Sequence, residues 1–157
     1  MNTLILLREA SESDLPLMLA WRSNPLVYEG FIVQNEPLKW EEHYRWWHSK
    51  QTDFCFFVIM VYSDCVLRPV GVVNIKGFSQ DSPEIGFYIG ETSLWGQGVG
   101  KEAVRQALNY MRRWGKRFVK ATVLDSNERS IRLLKSLGFS YMGASGERQS
   151  SLYRLEL

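Results

Sequence analysis

The sequence lacks the features of a membrane protein and of a protein that binds nucleic acid through charge. No apolar run approaches the roughly 18–20 residues that a membrane-spanning helix requires, and no signal-peptide pattern opens the chain. The 19 basic and 17 acidic side chains leave a net charge of +2, whereas binding by counterion release needs a concentrated basic surface. We therefore expect a cytoplasmic protein with no membrane and no nucleic-acid partner.

Cysteine is also scarce. Cys55 and Cys65 are the two cysteines of the chain; two thiols alone do not form a zinc site, and both lie in or beside a hydrophobic run, as buried thiols often do. We expect buried or half-buried free thiols and no bound metal. The sequence contains no internal repeat, low-complexity stretch or linker, so residues 1–157 are expected to form a single domain.

Aromatic side chains, by contrast, are abundant. The chain is 45% hydrophobic and 13% aromatic, with six tryptophans, so it can bury a substantial core and wholesale disorder is excluded. Four tryptophans lie in the N-terminal third, at Trp21, Trp40, Trp46 and Trp47, and Trp95 precedes a glycine-rich segment. The aromatic excess is therefore concentrated in one part of the chain.

Hydrophobic patterning predicts strands that alternate with helices, which indicates a mixed α/β domain. Apolar and β-branched runs predict strands at residues 4–7, 54–62, 70–75, 84–89, 118–124, 139–142 and 151–157, with the second run broken at Arg68-Pro69. Periodic apolar positions predict helices that open at Ser13 and Pro37, a long helix over residues 101–114, and a short helix capped by Asp125 and Glu128.

A glycine-rich turn follows one predicted strand and opens the long helix. Residues 95–101 read Trp-Gly-Gln-Gly-Val-Gly-Lys. Such a turn can leave backbone N–H groups pointing at one spot, where the positive end of the helix dipole favours a phosphate; the alternative is a mere tight turn. A P-loop would need Gly at 95 and Ser or Thr at 102, and a dinucleotide fingerprint would need Gly at 101. Trp95, Glu102 and Lys101 exclude both.

The turn resembles the acetyl-CoA loop of the GCN5-related N-acetyltransferase (GNAT) superfamily, Gln/Arg-x-x-Gly-x-Gly/Ala. Gly98 and Gly100 occupy its last two motif positions. Trp95 stands in the Gln/Arg position, as in a branch that includes ribosomal-protein N-terminal acetyltransferases. The opening of that branch is similar to residues 7–14 and 21–25 of this chain. Residues 127–139, from an asparagine at a helix start to Gly-Phe at its end, resemble the second motif of the superfamily.

This resemblance implies the GNAT fold and acetyl-CoA as cosubstrate, without a metal. The fold has a central, mostly antiparallel mixed sheet of six to seven strands, splayed at the acetyl-CoA cleft and flanked by about four helices. The resemblance also implies that a free backbone N–H of Phe87 or Tyr88 polarises the acetyl carbonyl. The expected cofactor-binding residues are Phe87, Tyr88, Ile89, Trp95, Gly96, Gln97, Gly98, Val99, Gly100, Lys101, Asn127 and Ser130.

Direct N-acetylation requires a base for the acceptor ammonium and an acid for the CoA thiolate. Glu84, at the start of the cleft strand, is the first candidate base, with a solvent-exposed strand end as the alternative. His43 is the second, because imidazole titrates near neutral pH, with simple packing in a helix as the alternative. The tyrosine that is the usual acid of the superfamily corresponds to Leu134, so Ser130, Tyr141 or water would protonate the thiolate.

Residues 40–47, Trp-Glu-Glu-His-Tyr-Arg-Trp-Trp, lie where the superfamily builds its acceptor pocket. They also resemble N-acetyltransferases of nucleotide-linked amino sugars, including those of pseudaminic acid biosynthesis. Trp40, His43 and Trp47 would then bind the acceptor by stacking, or they only pack two helices together. The acceptor can be an amino sugar, a protein N-terminus, an aminoglycoside-like amine or an amino acid, bound by a monomer or a homodimer.

The competing function class is a non-catalytic module that keeps this fold and binds CoA or a protein partner. Leu134 in place of the tyrosine favours that class, whereas the complete glycine turn opposes it. If the protein is an enzyme, ping-pong transfer through Cys55 or Cys65 would need a low-pKa thiolate near cations. Neither sequence neighbourhood indicates one, so direct transfer is expected.

Overall fold

A seven-stranded sheet forms the centre of the molecule, in the order β1-β2-β3-β4-β5-β7-β6. The computed structural model describes residues 3–49 and 52–157. Its strands are β1 (Leu4–Glu9), β2 (Phe54–Ser63), β3 (Val66–Lys76), β4 (Glu84–Ile89), β5 (Phe118–Leu124), β6 (Ser140–Ala144) and β7 (Ser150–Glu156). Its helices are α1 (Leu15–Arg22), α2 (Pro25–Tyr28), α3 (Trp40–Ser49), α4 (Val99–Arg113) and α5 (Glu128–Ser136), with 3-10 turns at Glu12–Asp14 and Thr92–Leu94.

The sheet is antiparallel except between β4 and β5. These two strands are parallel, as their connection through α4 requires, and they pair only at Glu84 and Lys120. Every other neighbouring pair of strands is antiparallel and pairs along at least four residues. The sheet is therefore splayed between β4 and β5, which confirms the predicted mixed, mostly antiparallel GNAT-type sheet.

Helices cover both faces of the sheet. On one face α4 buries Val104, Ala107, Leu108 and Met111, the four predicted core positions, against the sheet in the main hydrophobic cluster. On the other face a smaller cluster joins α1 and α3 to β2 and β3, through Leu15, Met18, Trp21, Trp47, Phe56 and Val72. Among the described residues, no helix has the length and apolar character to span a bilayer.

Several helix starts differ from the prediction. α3 begins at Trp40 instead of Pro37, and α4 begins at Val99 instead of residue 101. The short helix α2 was not predicted; Pro25 occupies its first turn, and the Asn24 side chain accepts a hydrogen bond from the Leu26 N–H. α5 is capped by Asn127, which is thus the N-cap instead of the predicted Asp125.

Arg68-Pro69 was predicted to separate the strands at 54–62 and 70–75, and this was wrong, because both residues lie within β3. β3 runs continuously from Val66 to Lys76 and pairs with β2 on both sides of a register shift, where Met60 is opposite Pro69 and Ile59 is opposite Gly71. A β-bulge accommodates a proline because the ladder is already interrupted there. The chain reverses instead at Asp64 and Cys65, which have positive φ angles of 50° and 62°. Cys65 is exposed, contrary to the expectation for both thiols.

Asp14 links the end of β1 to the start of α1, and its substitution by Asn is expected to destabilise the fold in a pH-dependent way. Its carboxylate pairs with Arg8 at 2.8 Å and accepts a hydrogen bond from the Ser11 N–H. The Arg8 hydrogen bond lowers the pKa of the Asp14 carboxyl below its ordinary value. This contribution is therefore complete above the unfolded-state pKa, near 4, and is lost as the pH falls through the folded-state pKa.

We expect Asp14→Asn to lower the free energy of unfolding by about 1 kcal/mol at pH 7, or the Tm by about 2–4 °C. The difference from the parent protein should shrink when thermal unfolding is followed below pH 4. Asp81→Asn, which neutralises an exposed carboxylate in the loop before β4, is the control. A deficit in Asp14→Asn that is equally large at low pH would contradict the ionic origin of the effect.

Candidate functional site

Two cavities meet where β4 and β5 diverge. The first, of about 570 Å³, lies between the glycine-rich turn, the end of β4, α2 and α5. The second, of about 320 Å³, lies on the α1 and α3 face of the sheet. Both are lined by Gly30, Phe31, Phe87, Tyr88, Asn127 and Ser130. The two cavities are therefore adjacent at this junction.

The first cavity gathers nearly all the residues predicted to bind the cofactor. Eleven of the twelve line it: Phe87, Tyr88, Ile89, Trp95, Gly96, Gly98, Val99, Gly100, Lys101, Asn127 and Ser130. Gln97 is exposed and does not line it; its side chain donates a hydrogen bond to the Ser93 carbonyl at 2.8 Å. The structure therefore places the predicted strand, turn and second motif around one space.

The backbone of the glycine-rich turn leaves the N-terminus of α4 open. Gly96 and Gly98 have φ angles of +77° and +82°, and a Cβ added at either would meet no side chain or distant backbone atom of the described residues within 4 Å. Gly98 is the N-cap of α4. The first backbone N–H groups of the helix have no helical acceptor and, with the helix dipole, favour an anion here.

Trp95 fastens the turn to the sheet. Its indole Nε1 donates a hydrogen bond to the Ile89 carbonyl at 2.9 Å, and the Arg129 guanidinium lies 3.6 Å from the centre of its ring. In this way Trp95 joins the last residue of β4 to the glycine-rich turn and holds the Arg129 cation beside it.

Three basic side chains line the first cavity, namely Lys101, Arg129 and Arg132, against a single acidic one, Glu29. The excess of positive charge suits a ligand with several phosphates. The arginines were not among the predicted binding residues. Their signal was their position two and five residues after Asn127, at the start of the same helix.

Asn127 combines a structural and a positional role. Its side-chain Oδ1 accepts a hydrogen bond from the Ser130 N–H at 3.3 Å and caps α5. Its Nδ2 lies close to the loop after α2, since a Cβ added at Gly30 would come within 2.9 Å of it. The Asn127 amide therefore fixes the geometry at the junction of the two cavities.

The second cavity is aromatic, with few polar groups. Its rings come from Phe31, Trp46, Phe54, Phe56, Phe87 and Tyr88, and its polar side chains from Arg22, Asn74, Thr122, Asn127 and Ser130. Of the described residues that line it, none is Asp or Glu. The cavity therefore suits a flat or ring-containing molecule, and its formal charge is positive.

The Tyr88 phenol lies at the junction without a hydrogen-bond partner. Its ring packs edge-on against Phe31, at 5.3 Å between ring centres, and against Trp21 at 6.2 Å. The hydroxyl is buried, and no residue in the described parts of the chain bonds to it. Burial raises the pKa of Tyr88, so the hydroxyl keeps its proton and is free to donate a hydrogen bond to a ligand.

Of the four predicted catalytic side chains, Ser130 alone lines the cavities. Glu84 begins β4 between Lys76 and Lys120 and lines neither cavity. Tyr141 is 60% exposed on β6, where it packs against Tyr153. The structure therefore does not bring Glu84 and Tyr141 to the junction.

His43 is packed inside the protein. It is 1% exposed, its Nε2 lies 3.1 Å from the Leu15 carbonyl oxygen, and its ring stacks on Trp46. Burial, followed by the nearby Arg22 charge, lowers the pKa of His43. The side chain lines neither cavity. It packs α3 against α1, which is the alternative to a role as the base.

Leu134 is fully buried in the main hydrophobic cluster. The GNAT superfamily, which this chain resembles, usually has a tyrosine at this position. In this chain the position is part of the core, and it carries no group that can donate a proton.

The tryptophan of α3 that lines a cavity is Trp46, and not the predicted Trp40 or Trp47. Trp46 lines the second cavity, whereas Trp40 and Trp47 line neither cavity. Trp40 is 42% exposed and Trp47 is buried beneath the helix. The predicted common face of α3 thus divides into an exposed edge and a buried edge, and the cavity lies beside the latter.

Comparison with known proteins identifies the family. The sequence profile of the acetyltransferase (GNAT) domain family matches residues 5–140. An uncharacterised protein of Methanocaldococcus jannaschii is 40% identical over 153 residues, which cover 98% of this chain but only 31% of that protein. A crystal structure of a domain from the same organism, also 40% identical, superposes with a TM-score of 0.95 and covers 99% of this chain and 100% of that one.

A more distant structure shares the fold. The aminoglycoside acetyltransferase AAC(6')-Ib in complex with coenzyme A is 15% identical to this chain, with a TM-score of 0.83, and the match covers 98% of this chain and 95% of that one. Since the family profile spans most of the sequence and the sheet is splayed between β4 and β5, this chain belongs to the GNAT acetyltransferase domain family.

Proposed function

We propose that the chain transfers an acetyl group directly from acetyl-CoA to a primary amine, and that the amine belongs to a nucleotide-linked amino sugar or to a protein N-terminus. The observation that carries this proposal is the junction of a basic cavity with an aromatic one at the splay of the sheet. The coenzyme A bound to AAC(6')-Ib, which has the same fold, supports the assignment of the first cavity to the cosubstrate.

Acetyl-CoA would bind with its pyrophosphate at the N-terminus of α4, beside Lys101 and Arg129. Because β4 pairs with β5 only at Glu84, the edge of β4 from Phe87 to Ile89 is open on that side. The pantetheine arm would pair with this edge as an added strand. The thioester would then lie at the junction, where a backbone N–H of β4 can polarise its carbonyl.

The amine nitrogen would attack the thioester carbon from the second cavity, and the carbon–sulfur bond would break as the thiolate leaves. No described lining residue of the second cavity is a carboxylate or an imidazole, so we assign deprotonation of the ammonium to water. Ser130 lines the junction, and its hydroxyl is our candidate to relay to the thiolate the second proton, which the attacking nitrogen loses as the amide forms. Burial raises the pKa of the Cys55 thiol, which favours direct transfer over an acyl-cysteine intermediate.

Two measurements test this function. Acetyl-CoA at about 100 times its Kd should stabilise the fold by about 2.7 kcal/mol, which raises the Tm by about 5–10 °C. Free CoA thiol, detected with a chromogenic disulfide, should then appear only when a suitable amine is added from a panel of amino sugars, peptides and aminoglycosides. Absence of a Tm shift at millimolar acetyl-CoA, or thiol release that does not depend on the amine, would contradict the proposal.

A further inference from the structure

Arg22 places a positive charge in the aromatic cavity. It is the last residue of α1 and lines the second cavity. The centre of its guanidinium lies 5.4 Å from the centre of the Trp46 ring and 5.6 Å from that of Phe31. Arginine stacked between rings is favourable and keeps its planar group in a defined orientation.

Hydrogen bonds fix the guanidinium further. Its Nε donates to the Gln34 Oε1 at 3.2 Å. Gln34 is 6% exposed, and its own amide donates to the carbonyls of Arg22 and Glu36. A buried glutamine therefore holds Arg22 at the cavity wall before any ligand arrives, which lowers the ordering cost of binding.

No carboxylate neutralises this arginine. Within residues 3–49 and 52–157, Arg22 forms no ion pair, and its two terminal nitrogens donate no hydrogen bond to a protein atom. A partly buried charge is normally paired. Burial lowers the pKa of Arg22, but an arginine keeps its charge in proteins. The two terminal nitrogens are therefore donors available to a ligand.

The Tyr88 phenol offers a second donor in the same cavity. It is buried without a hydrogen-bond partner among the described residues. The nearby positive charge of Arg22 partly offsets the rise in its pKa that burial causes. A cationic guanidinium and a neutral hydroxyl suit a phosphate or carboxylate group, which accepts several hydrogen bonds at once. The guanidinium repels a polycationic amine, whose charges would need carboxylates, and the described lining of this cavity contains none.

We propose that Arg22, assisted by the Tyr88 hydroxyl, binds an anionic group of the acceptor, so that the acceptor is an amine that also carries a phosphate or a carboxylate. This inference rests on the proposed function, because it assigns the second cavity to the acceptor. It selects nucleotide-linked or phosphorylated amino sugars and amino acids over neutral sugars, polyamines and aminoglycosides.

The test compares matched probes on protein saturated with CoA, so that the first cavity is occupied. The phosphate pair is glucosamine 1-phosphate and glucosamine, and the carboxylate pair is alanine and alaninamide. Binding is measured by calorimetry, and kcat/KM is measured separately with acetyl-CoA. We expect the anionic member of at least one pair to bind 10- to 100-fold more tightly, and the pair with the larger ratio identifies the anion.

Arg22→Gln should remove this preference, with CoA binding unchanged, and Arg22→Lys should restore part of it because the charge returns without the planar fork. Tyr88→Phe should reduce the preference and raise the Tm, since it removes an unpaired buried hydroxyl. Arg45→Gln, which removes the same charge from an exposed position of α3, is the control and should bind both probes like the parent protein.

Equal binding of both members of both pairs, or an Arg22→Gln variant that weakens both members of a pair equally, would overturn the anion site. The proposed function fails separately. Selective binding of an anionic probe without any acetylation of it would retain the site and contradict acetylation as its use, whereas acetylation of both members at the same kcat/KM would retain the activity and reject the site.

Discussion

Replacement of Gly98 by alanine is expected to raise the Kd for acetyl-CoA by about 10- to 100-fold, through the loss of charge-assisted hydrogen bonds to the backbone. Gly98 is the N-cap of α4, with φ at +82°, and an added Cβ would meet no side chain or distant backbone atom in the described part of the chain within 4 Å. The new methyl group would occupy the space in front of the helix N-terminus, where the phosphates are proposed to bind. The left-handed backbone also makes alanine cost about 1–2 kcal/mol of folding free energy.

The strain and the blocked site can be separated with a glycine at the other end of the same helix. Gly115 follows the C-terminus of α4, has φ at +74° and likewise has no protein atom near an added Cβ. Gly115→Ala should lose a similar amount of stability and bind acetyl-CoA like the parent protein. The comparison requires thermal unfolding and acetyl-CoA titration of both variants. If the two variants bound acetyl-CoA equally well, the glycine turn would not be the phosphate site.

Gly90→Ala, directly after β4, should produce a large loss of stability. A Cβ at Gly90 would lie 2.1–2.4 Å from three ring carbons of Trp21, far inside van der Waals contact. Trp21 is 5% exposed and its Nε1 donates a hydrogen bond to Glu91 at 3.2 Å, so the ring has little room to move. We expect a loss of about 3 kcal/mol and a fall in Tm of about 6–12 °C.

A double-mutant cycle tests whether this loss comes from the Trp21 contact. In a Trp21→Ala background the ring is gone, and adding the methyl group at position 90 should then cost little. The free energies of unfolding of the parent, both single variants and the double variant, from urea titration, give the coupling. Additive effects would show that Gly90 is required for a backbone reason and not for the close approach of the indole.

The residues that line the first cavity were predictable as a group because their determinants are local. A positive φ, an open helix N-terminus and a cap are properties of a few consecutive residues. For this reason the turn around Gly98 lines the first cavity as expected, and so does Asn127, although the cap was predicted two residues earlier, at Asp125. Gln97 is the exception, because a side-chain direction within a turn depends on the rotamer and on its neighbour, here Ser93.

The residues that line the second cavity were predicted less well. Helical periodicity places Trp40 and Trp47 on the same face of α3, but it does not tell which tryptophan reaches a cavity. Trp46 does so because α3 packs on β2, where Phe56 meets both Trp46 and Trp47. Arg22 lies in the segment 21–25 that resembles the opening of a GNAT branch, but nothing in that resemblance gave it a role; its place at the cavity wall comes from Gln34 and from the aromatic rings around it.

By itself the sequence determined the mixed α/β class, the phosphate-type turn and the GNAT resemblance, since each depends on patterns within short segments. Only the tertiary structure decided which side chains line the second cavity, that the Leu134 position belongs to the core, and that His43 joins two helices. The second cavity is assembled from α1, the loop after α2, α3, the start of α5 and four strands. Its composition therefore depends on long-range packing and on the splay of β4 from β5, which no local pattern encodes.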